Sequence, residues 1–131
     1  MLTLEDYFGR VLHIEAPSDE VKVNAGILLA RVNALLHDCA MIEAAAIPKV
    51  NSGWRPAAYN AGIPNAAPKS KHITGQAIDI ADPDGELDEY LFKNQNVLED
   101  HGLWMENPLA TKGWTHLQST PPRSGNRVFI P

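Results

Sequence analysis

Apolar residues recur at helical spacing in two stretches near the start of the chain. In the first, Thr3 and Asp6 match a capping box, and apolar residues follow at three- and four-residue steps. In the second, Ser18 and Asp19 are good N-cap residues for a helix with one long apolar stripe. The stripe consists of Val21, Ala25, Leu28, Val32, Leu35, Leu36 and Cys39. We predict a short helix opening near Leu4 and a long helix after Ser18 that stops before Pro48, with Cys39 as core packing.

The rest of the chain alternates short apolar runs with turn residues, which is typical of strands joined by turns. Residues 86–101 predict one further helix with Gly102 just past its end, and residues 56–71 predict an irregular loop. The predicted strands are 49–55, 76–81, 103–106, 113–118 and an edge strand at 127–130. This order indicates an α+β fold, in which a small antiparallel sheet carries helices packed on one side.

The composition and charge of the chain exclude several classes of function. The chain has 131 residues, of which 44% are hydrophobic and 21% charged, and this predicts a single globular domain over residues 1–131. A formal charge of -5 argues against a nucleic-acid binder and against docking on anionic membranes. One cysteine excludes an internal disulfide, and the first ten residues lack a secretory pattern. We expect a cytoplasmic protein that is a monomer or a weak oligomer.

Three residues, His72, Asp79 and His116, are suited to metal chemistry. His72 ends the long loop, Asp79 lies in the strand that follows, and Gly75 between them permits a tight turn. His116 lies on a later strand, where it shares a face with Trp114 and Gln118. Two imidazoles and one carboxylate are a common zinc set that leaves a fourth position open. Such a site would keep a net positive charge and remain a Lewis acid.

The chain around these residues resembles the M15 peptidase family, which includes D-Ala-D-Ala carboxypeptidases and bacteriophage L-alanyl-D-glutamate endopeptidases. Residues 70–79 read SKHITGQAID and match the family pattern S-x-H-x-x-G-x-A-x-D, while the flanking segments SGWR at 52–55 and WTH at 114–116 stand in the same order and spacing. The resemblance spans about residues 50–118. It implies an M15 peptidase/Hedgehog-like fold and a Zn²⁺ ion held by His72, Asp79 and His116.

The same resemblance implies roles for two further residues. Arg55 would face the metal and stabilise the oxyanion that develops on the attacked carbonyl. The alternative for Arg55 is pairing with a surface carboxylate. Ser70 would help to hold the backbone of the ligand, and its alternative is a cap within the loop.

The pattern departs from the family before the last histidine, where M15 peptidases carry a catalytic carboxylate a few residues upstream. Here residues 113–115 are Gly, Trp and Thr. Glu106 is the best substitute as general base, because an antiparallel hairpin would place it beside His116. Hedgehog-like relatives also place a glutamate upstream at a longer offset. The alternatives are a solvated hairpin carboxylate at Glu106, or Asp100 and His101 nearby.

Two functions remain in view, together with a cytosolic domain that binds no metal. The leading hypothesis is a zinc-dependent peptidase that cleaves amide bonds in the stem peptides of peptidoglycan. The second is a non-catalytic zinc-containing binding or structural module on the same fold, such as a phage or prophage component. A phage lysis enzyme would need no secretory signal of its own, because another protein can release it.

Overall fold

The computed structural model describes residues 1–39 and 48–131. The predicted end of the helical region before Pro48 lies outside the described residues. The five α-helices in these ranges are α1 (Leu4–Phe8), α2 (Asp19–Asp38), α3 (Ala57–Ala61), α4 (Glu86–Lys93) and α5 (Gln95–Asp100). The strands are β1 (Val50–Ser52), β2 (Ala77–Asp82), β3 (Trp104–Glu106), β4 (Gly113–Gln118) and β5 (Val128–Phe129). Short 3₁₀ helices cover Gly9–His13 and Pro108–Ala110.

The first two helices begin where their caps predict. The hydroxyl of Thr3 accepts a hydrogen bond from the Asp6 amide at 3.1 Å, and the Asp6 carboxylate accepts one from the Thr3 amide at 2.9 Å. Ser18 caps α2 by accepting from the amide of Val21 at 3.2 Å. The apolar stripe of α2 is largely buried, and Cys39 at its end belongs to the core as predicted. These caps satisfy amide groups that a helix leaves without internal partners.

The five strands form one sheet in the order β1-β2-β4-β3-β5. The first four are antiparallel to their neighbours, but β5 pairs in parallel with β3. The prediction of a purely antiparallel sheet is therefore wrong at this edge. Strand β4 finishes opposite Trp104, the first residue of β3. Residues 119–127 then cross this end of β3, and β5 runs along its outer side in the same direction.

Two other predictions need correction. The helix predicted over 86–101 is divided at Asn94, which has non-helical angles (φ -128°, ψ 57°) and whose side chain donates to the carbonyl of Tyr90 at 2.8 Å. Asparagine competes with the helix by such local hydrogen bonds. The loop predicted over 56–71 contains the helix α3, which starts directly after Pro56.

The sheet separates a hydrophobic face from a polar one. Side chains alternate across the strands, so Ile78, Ile80, Met105 and Leu117 project to one face and join the buried cluster formed with the helices. The opposite face of β2 and β4 carries Asp79, His116 and Gln118 among others. None of the described helices is long and apolar enough to cross a membrane.

Candidate metal centre

His72, Asp79 and His116 converge on one point of the polar face. Asp79 of β2 lies directly opposite His116 of β4 in the antiparallel register. The turn before β2 brings in His72, and Gly75 within it has a φ of +77°, a conformation that favours glycine. One potential ligand atom from each of the three residues lies within 4.8 Å of the others. The structure thus places together the residues that the sequence singled out.

Asp79 is the centre of this cluster. Its Oδ1 lies 2.8 Å from Nδ1 of His116, and its Oδ2 lies 3.3 Å from Nε2 of His72. The two imidazole rings are 5.4 Å apart between centroids and nearly edge to face. All three residues are buried, with His72 only 2% exposed.

Each imidazole has its other nitrogen bonded to a protein group. Nδ1 of His72 lies 2.7 Å from the carbonyl oxygen of Gly53, which can only accept, so this nitrogen carries the proton. Nε2 of His116 lies 2.9 Å from Oε1 of Gln118 and donates to it. The nitrogens left over, Nε2 of His72 and Nδ1 of His116, are the ones that face Asp79. In neutral imidazoles these are the atoms with free lone pairs.

The electrostatics of the cluster call for a cation next to Asp79. Burial raises the pKa of Asp79, but hydrogen bonds from His116 and His72 outweigh it and hold that pKa well below its usual range. Burial lowers the pKa of His116, whereas its hydrogen bond to Asp79 and the charge of Glu106 raise it, and the net direction is upward. With both rings neutral, two lone pairs would face the carboxylate of Asp79 and repel it, whereas a protonated ring nitrogen donates to it instead. A proton or a metal ion between them removes that repulsion.

Arg55 is fixed at the edge of the cluster by three contacts. Its Nη2 lies 3.3 Å from Oδ2 of Asp79, its Nε donates to the hydroxyl of Ser52 at 2.8 Å, and its Nη1 lies 3.4 Å from Oδ1 of Asn60. The amide nitrogen of Asn60 in turn donates to the carbonyl of Ala67 at 2.8 Å. Arg55 therefore pairs with the buried candidate ligand itself and still lines the cleft.

Glu106 ends β3 beside His116, on the strand that the hairpin geometry predicts. The preceding residue, Met105, pairs with Leu117, and Oε1 of Glu106 lies 3.8 Å from Nδ1 of His116. Burial raises the pKa of Glu106, the charge of His116 opposes this, and the net direction is upward. A half-buried carboxyl with a raised pKa beside two histidines is a candidate for proton transfer.

The alternative bases lie elsewhere. Asp100 is the last residue of α5, and His101 follows it with its Nε2 2.7 Å from the carboxylate of Asp38. Neither residue lines the cleft that contains His116. Within the described part of the chain, Glu106 is the carboxylate that joins Asp79 at this cleft.

The cluster opens into a cleft of about 530 Å³. This volume is in the usual range for ligand sites. Ser70 lies at its edge, where its hydroxyl accepts from the amide of His72 at 3.2 Å, and so the loop-cap role is observed. Apolar parts of the wall come from Trp114, Ile63, Pro64, Ala66 and Ala67.

Two supporting residues were not assigned by the sequence. Gly53 and Gln118 hold the imidazoles of His72 and His116. The position of Gln118 two residues after His116 on the same strand face gave a partial signal. Nothing in the sequence indicates which backbone carbonyl a histidine will meet.

Two imidazoles and a carboxylate are donor types that can hold a zinc ion, and the separations between them match a zinc site in part. Zinc–ligand distances of about 2.0–2.1 Å in a tetrahedron put ligand atoms about 3.3 Å apart. The His72–Asp79 separation of 3.3 Å has this spacing, and the His116–Asp79 separation is shorter, at 2.8 Å.

Comparisons of the chain with models of protein families, with curated proteins and with solved structures find no significant match.

Proposed function

We propose that the protein is a zinc-dependent peptidase that cleaves amide bonds, with the stem peptides of peptidoglycan as its substrate class. One observation carries the metal assignment: both imidazoles have one nitrogen bonded to a protein acceptor and direct the other at Asp79. A buried site in which two such ring nitrogens and a carboxylate meet supports a bound metal ion. The substrate class is supported by the resemblance of residues 50–118 to M15 peptidases.

Each residue has a defined task in this proposal. His72, Asp79 and His116 would hold the ion, which when bound supplies Lewis acidity toward the scissile carbonyl and the attacking water. In hydrolysis the water oxygen bonds to the carbonyl carbon and the C–N bond breaks. Glu106 would accept a proton from the water at its carboxylate and deliver it to the leaving nitrogen. Arg55 would donate to the carbonyl oxygen as negative charge develops there.

A second candidate is a non-catalytic zinc module on the same fold. Gly113 stands three residues before His116, where the family pattern has a carboxylate, and this favours the alternative. The position of Glu106, 3.8 Å from the ring nitrogen of His116, favours catalysis instead. Both functions would require bound zinc, but only the peptidase would hydrolyse a peptide.

Metal analysis and peptide turnover separate the hypotheses. We expect purified protein to bind about one zinc ion per chain and to hydrolyse muropeptides or peptides ending in D-Ala-D-Ala. His72→Ala should abolish zinc binding, and Glu106→Gln should keep zinc but lower kcat by about 10²–10⁴-fold. Matched controls are His37→Ala at the exposed end of α2 and Glu99→Gln on α5, both of which should retain activity.

The outcomes point in different directions. Protein that binds no zinc would reject the metal proposal altogether. Zinc binding without turnover of any stem peptide would support the non-catalytic module. Full activity in the Glu106→Gln variant would reject Glu106 as the base and leave the metal ligands unaffected.

A further inference from the structure

Gln118 connects His116 to the backbone beyond the end of β4. Its Oε1 lies 2.9 Å from Nε2 of His116, and its Nε2 donates to the carbonyl oxygen of Thr120 at 2.8 Å. Both side chains are buried, and Gln118 is 4% exposed. His116, Gln118 and the carbonyl of Thr120 thus form a short chain of hydrogen bonds that ends on the backbone.

The chemistry of the groups decides which one donates and which one accepts in each hydrogen bond of this chain. A backbone carbonyl can only accept, so the amide nitrogen of Gln118 must face Thr120. Its oxygen must then face His116, and an oxygen acceptor requires a proton on Nε2 of that ring. In the neutral ring, the remaining nitrogen, Nδ1, then carries a lone pair. It is also the nitrogen that faces Asp79.

The backbone keeps Gln118 in place. In the sheet, Gln118 is opposite Ala77 of β2 on one side and Trp104 of β3 on the other. A strand paired on both sides cannot shift without losing hydrogen bonds to both neighbours. Side chains two residues apart on a strand share a face, so the reach from Gln118 to His116 follows from local geometry.

We propose that Gln118 is a positioning residue of the metal centre, which holds the Nε2 proton of His116 and commits Nδ1 to the metal. This inference rests on the zinc site proposed above. His72 has the same support from the carbonyl of Gly53, but a backbone acceptor cannot be removed by a side-chain substitution. Gln118 is therefore the support whose acceptor atom a single substitution can remove.

The test uses the whole chain and zinc itself as the probe. The dissociation constant for Zn²⁺ is measured by competition with a chromophoric chelator for wild type, Gln118→Met and Gln118→Glu. Loss of an acceptor behind a ligating histidine weakens metal affinity by about 10–100-fold. We expect that loss in Gln118→Met. Gln118→Glu keeps an oxygen acceptor for His116, and its carboxyl can still donate to the carbonyl of Thr120 when it carries a proton, so its affinity for Zn²⁺ should fall by less than that of Gln118→Met.

A second readout reports on the proton directly. In zinc-loaded protein labelled with ¹⁵N-histidine, the Nε2–H of His116 should exchange slowly in wild type and in Gln118→Glu, and rapidly in Gln118→Met. The matched control is Gln76→Met, because Gln76 is half-buried and bonds to Thr74 rather than to a histidine. This variant should bind zinc as wild type does.

The results separate the two proposals. Equal affinity and equal proton exchange in wild type and Gln118→Met would overturn the role of Gln118 while the zinc site stands. Wild-type protein that binds no zinc would overturn both. A loss of affinity in Gln118→Glu as large as in Gln118→Met, with both variants folded, would show that the acceptor is not what matters and would also reject the inference.

Discussion

The carbonyl oxygen of Gly53 lies 2.7 Å from Nδ1 of His72 and fixes which nitrogen of that ring faces Asp79. Gly53 can take this position because it has no side chain. A Cβ built there would lie 1.8 Å from the carbonyl oxygen of Tyr7 in α1. The close contact between Gly53, just after β1, and the first helix therefore sets the orientation of a candidate ligand.

Gly53→Ala should damage both the fold and the metal centre. Since the clash is with backbone, the strand must move, and such overpacking costs about 1–3 kcal/mol of folding free energy. The displaced carbonyl should also weaken zinc affinity by at least about tenfold, as for other groups that orient a ligand. Urea unfolding and chelator competition measure the two effects.

Gly62→Ala is the control. A Cβ at position 62 would meet the nearest atom at 3.5 Å, so this variant should change neither quantity. Zinc affinity unchanged in Gly53→Ala would show that the Gly53 carbonyl does not orient the ligand.

Arg55→Lys tests whether the shape of the guanidinium matters. Arg55 reaches three acceptors on different residues, and a lysine ammonium keeps the charge but not this planar fork. We expect kcat for peptide hydrolysis to fall by about 10²-fold, as when a donor to a developing oxyanion is lost. Zinc affinity should change far less, since the three candidate ligands remain. Arg31→Lys is the matched control: Arg31 donates to the carbonyls of Gly102 and Ser119, away from the cleft, and its loss should leave kcat unchanged. An equal fall in both variants would argue against a role for Arg55 in the reaction.

Local patterns were enough to predict much of the fold. The caps at Thr3 and Ser18 and the stripe of α2 depend on residues a few positions apart, and the helices begin where these patterns place them. The convergence of His72, Asp79 and His116 was predicted mainly through the resemblance of their segments to the M15 motifs, because Asp79 and His116 are 37 residues apart and strand alternation alone does not pair their strands.

The incorrect or missing predictions concern features that the hydrophobic pattern does not encode. The parallel pairing of β5 depends on where the segment 119–127 crosses the sheet edge, which hydrophobic alternation does not encode. The break at Asn94 occurs inside a pattern with helical period: the backbone amide and the side chain of Asn94 both donate to the carbonyl of Tyr90, and its backbone angles leave the helical region. The bond between Gly53 and His72 depends on the packing of β1 against Tyr7. Three-dimensional coordinates are needed for all three.

Asp88 should make stability depend on pH in the acid range. This residue of α4 is 3% exposed, its Oδ2 accepts from Thr111 at 2.7 Å, and its Oδ1 has no hydrogen-bond partner within the described residues. Burial raises the pKa of Asp88, hydrogen bonds from Thr111 and Thr115 oppose this, and the net direction is upward. The folded state therefore binds a proton more tightly than the unfolded state. This contribution to stability is complete below the unfolded pKa and is lost as the pH rises through the folded pKa.

Asp88→Asn should remove that dependence. The free energy of unfolding of wild type relative to Asp88→Asn should fall as the pH rises from 4 to 7, by about 1.4 kcal/mol for each pH unit that separates the pKa of the folded state from that of the unfolded state. Urea unfolding at several pH values measures the difference. Asp84→Asn, at an exposed position of the preceding turn, should run parallel to wild type. A constant difference between wild type and Asp88→Asn across this range would show that the carboxyl titrates normally.

Cys39 should be nearly inert to thiol reagents in the folded protein. Burial, followed by the negative charge of Asp38, raises the pKa of the Cys39 thiol to about 11. Because the thiolate is the reactive form, the reactive fraction at pH 8 is on the order of a hundredfold lower than for an ordinary cysteine. Reaction with a disulfide reagent should thus be slow in native protein and fast in urea. Ser124→Cys in a Cys39→Ser background provides an exposed thiol for comparison and should react at the ordinary rate. Rapid native labelling of Cys39 would show that the end of α2 opens far more often than its packing against the core implies.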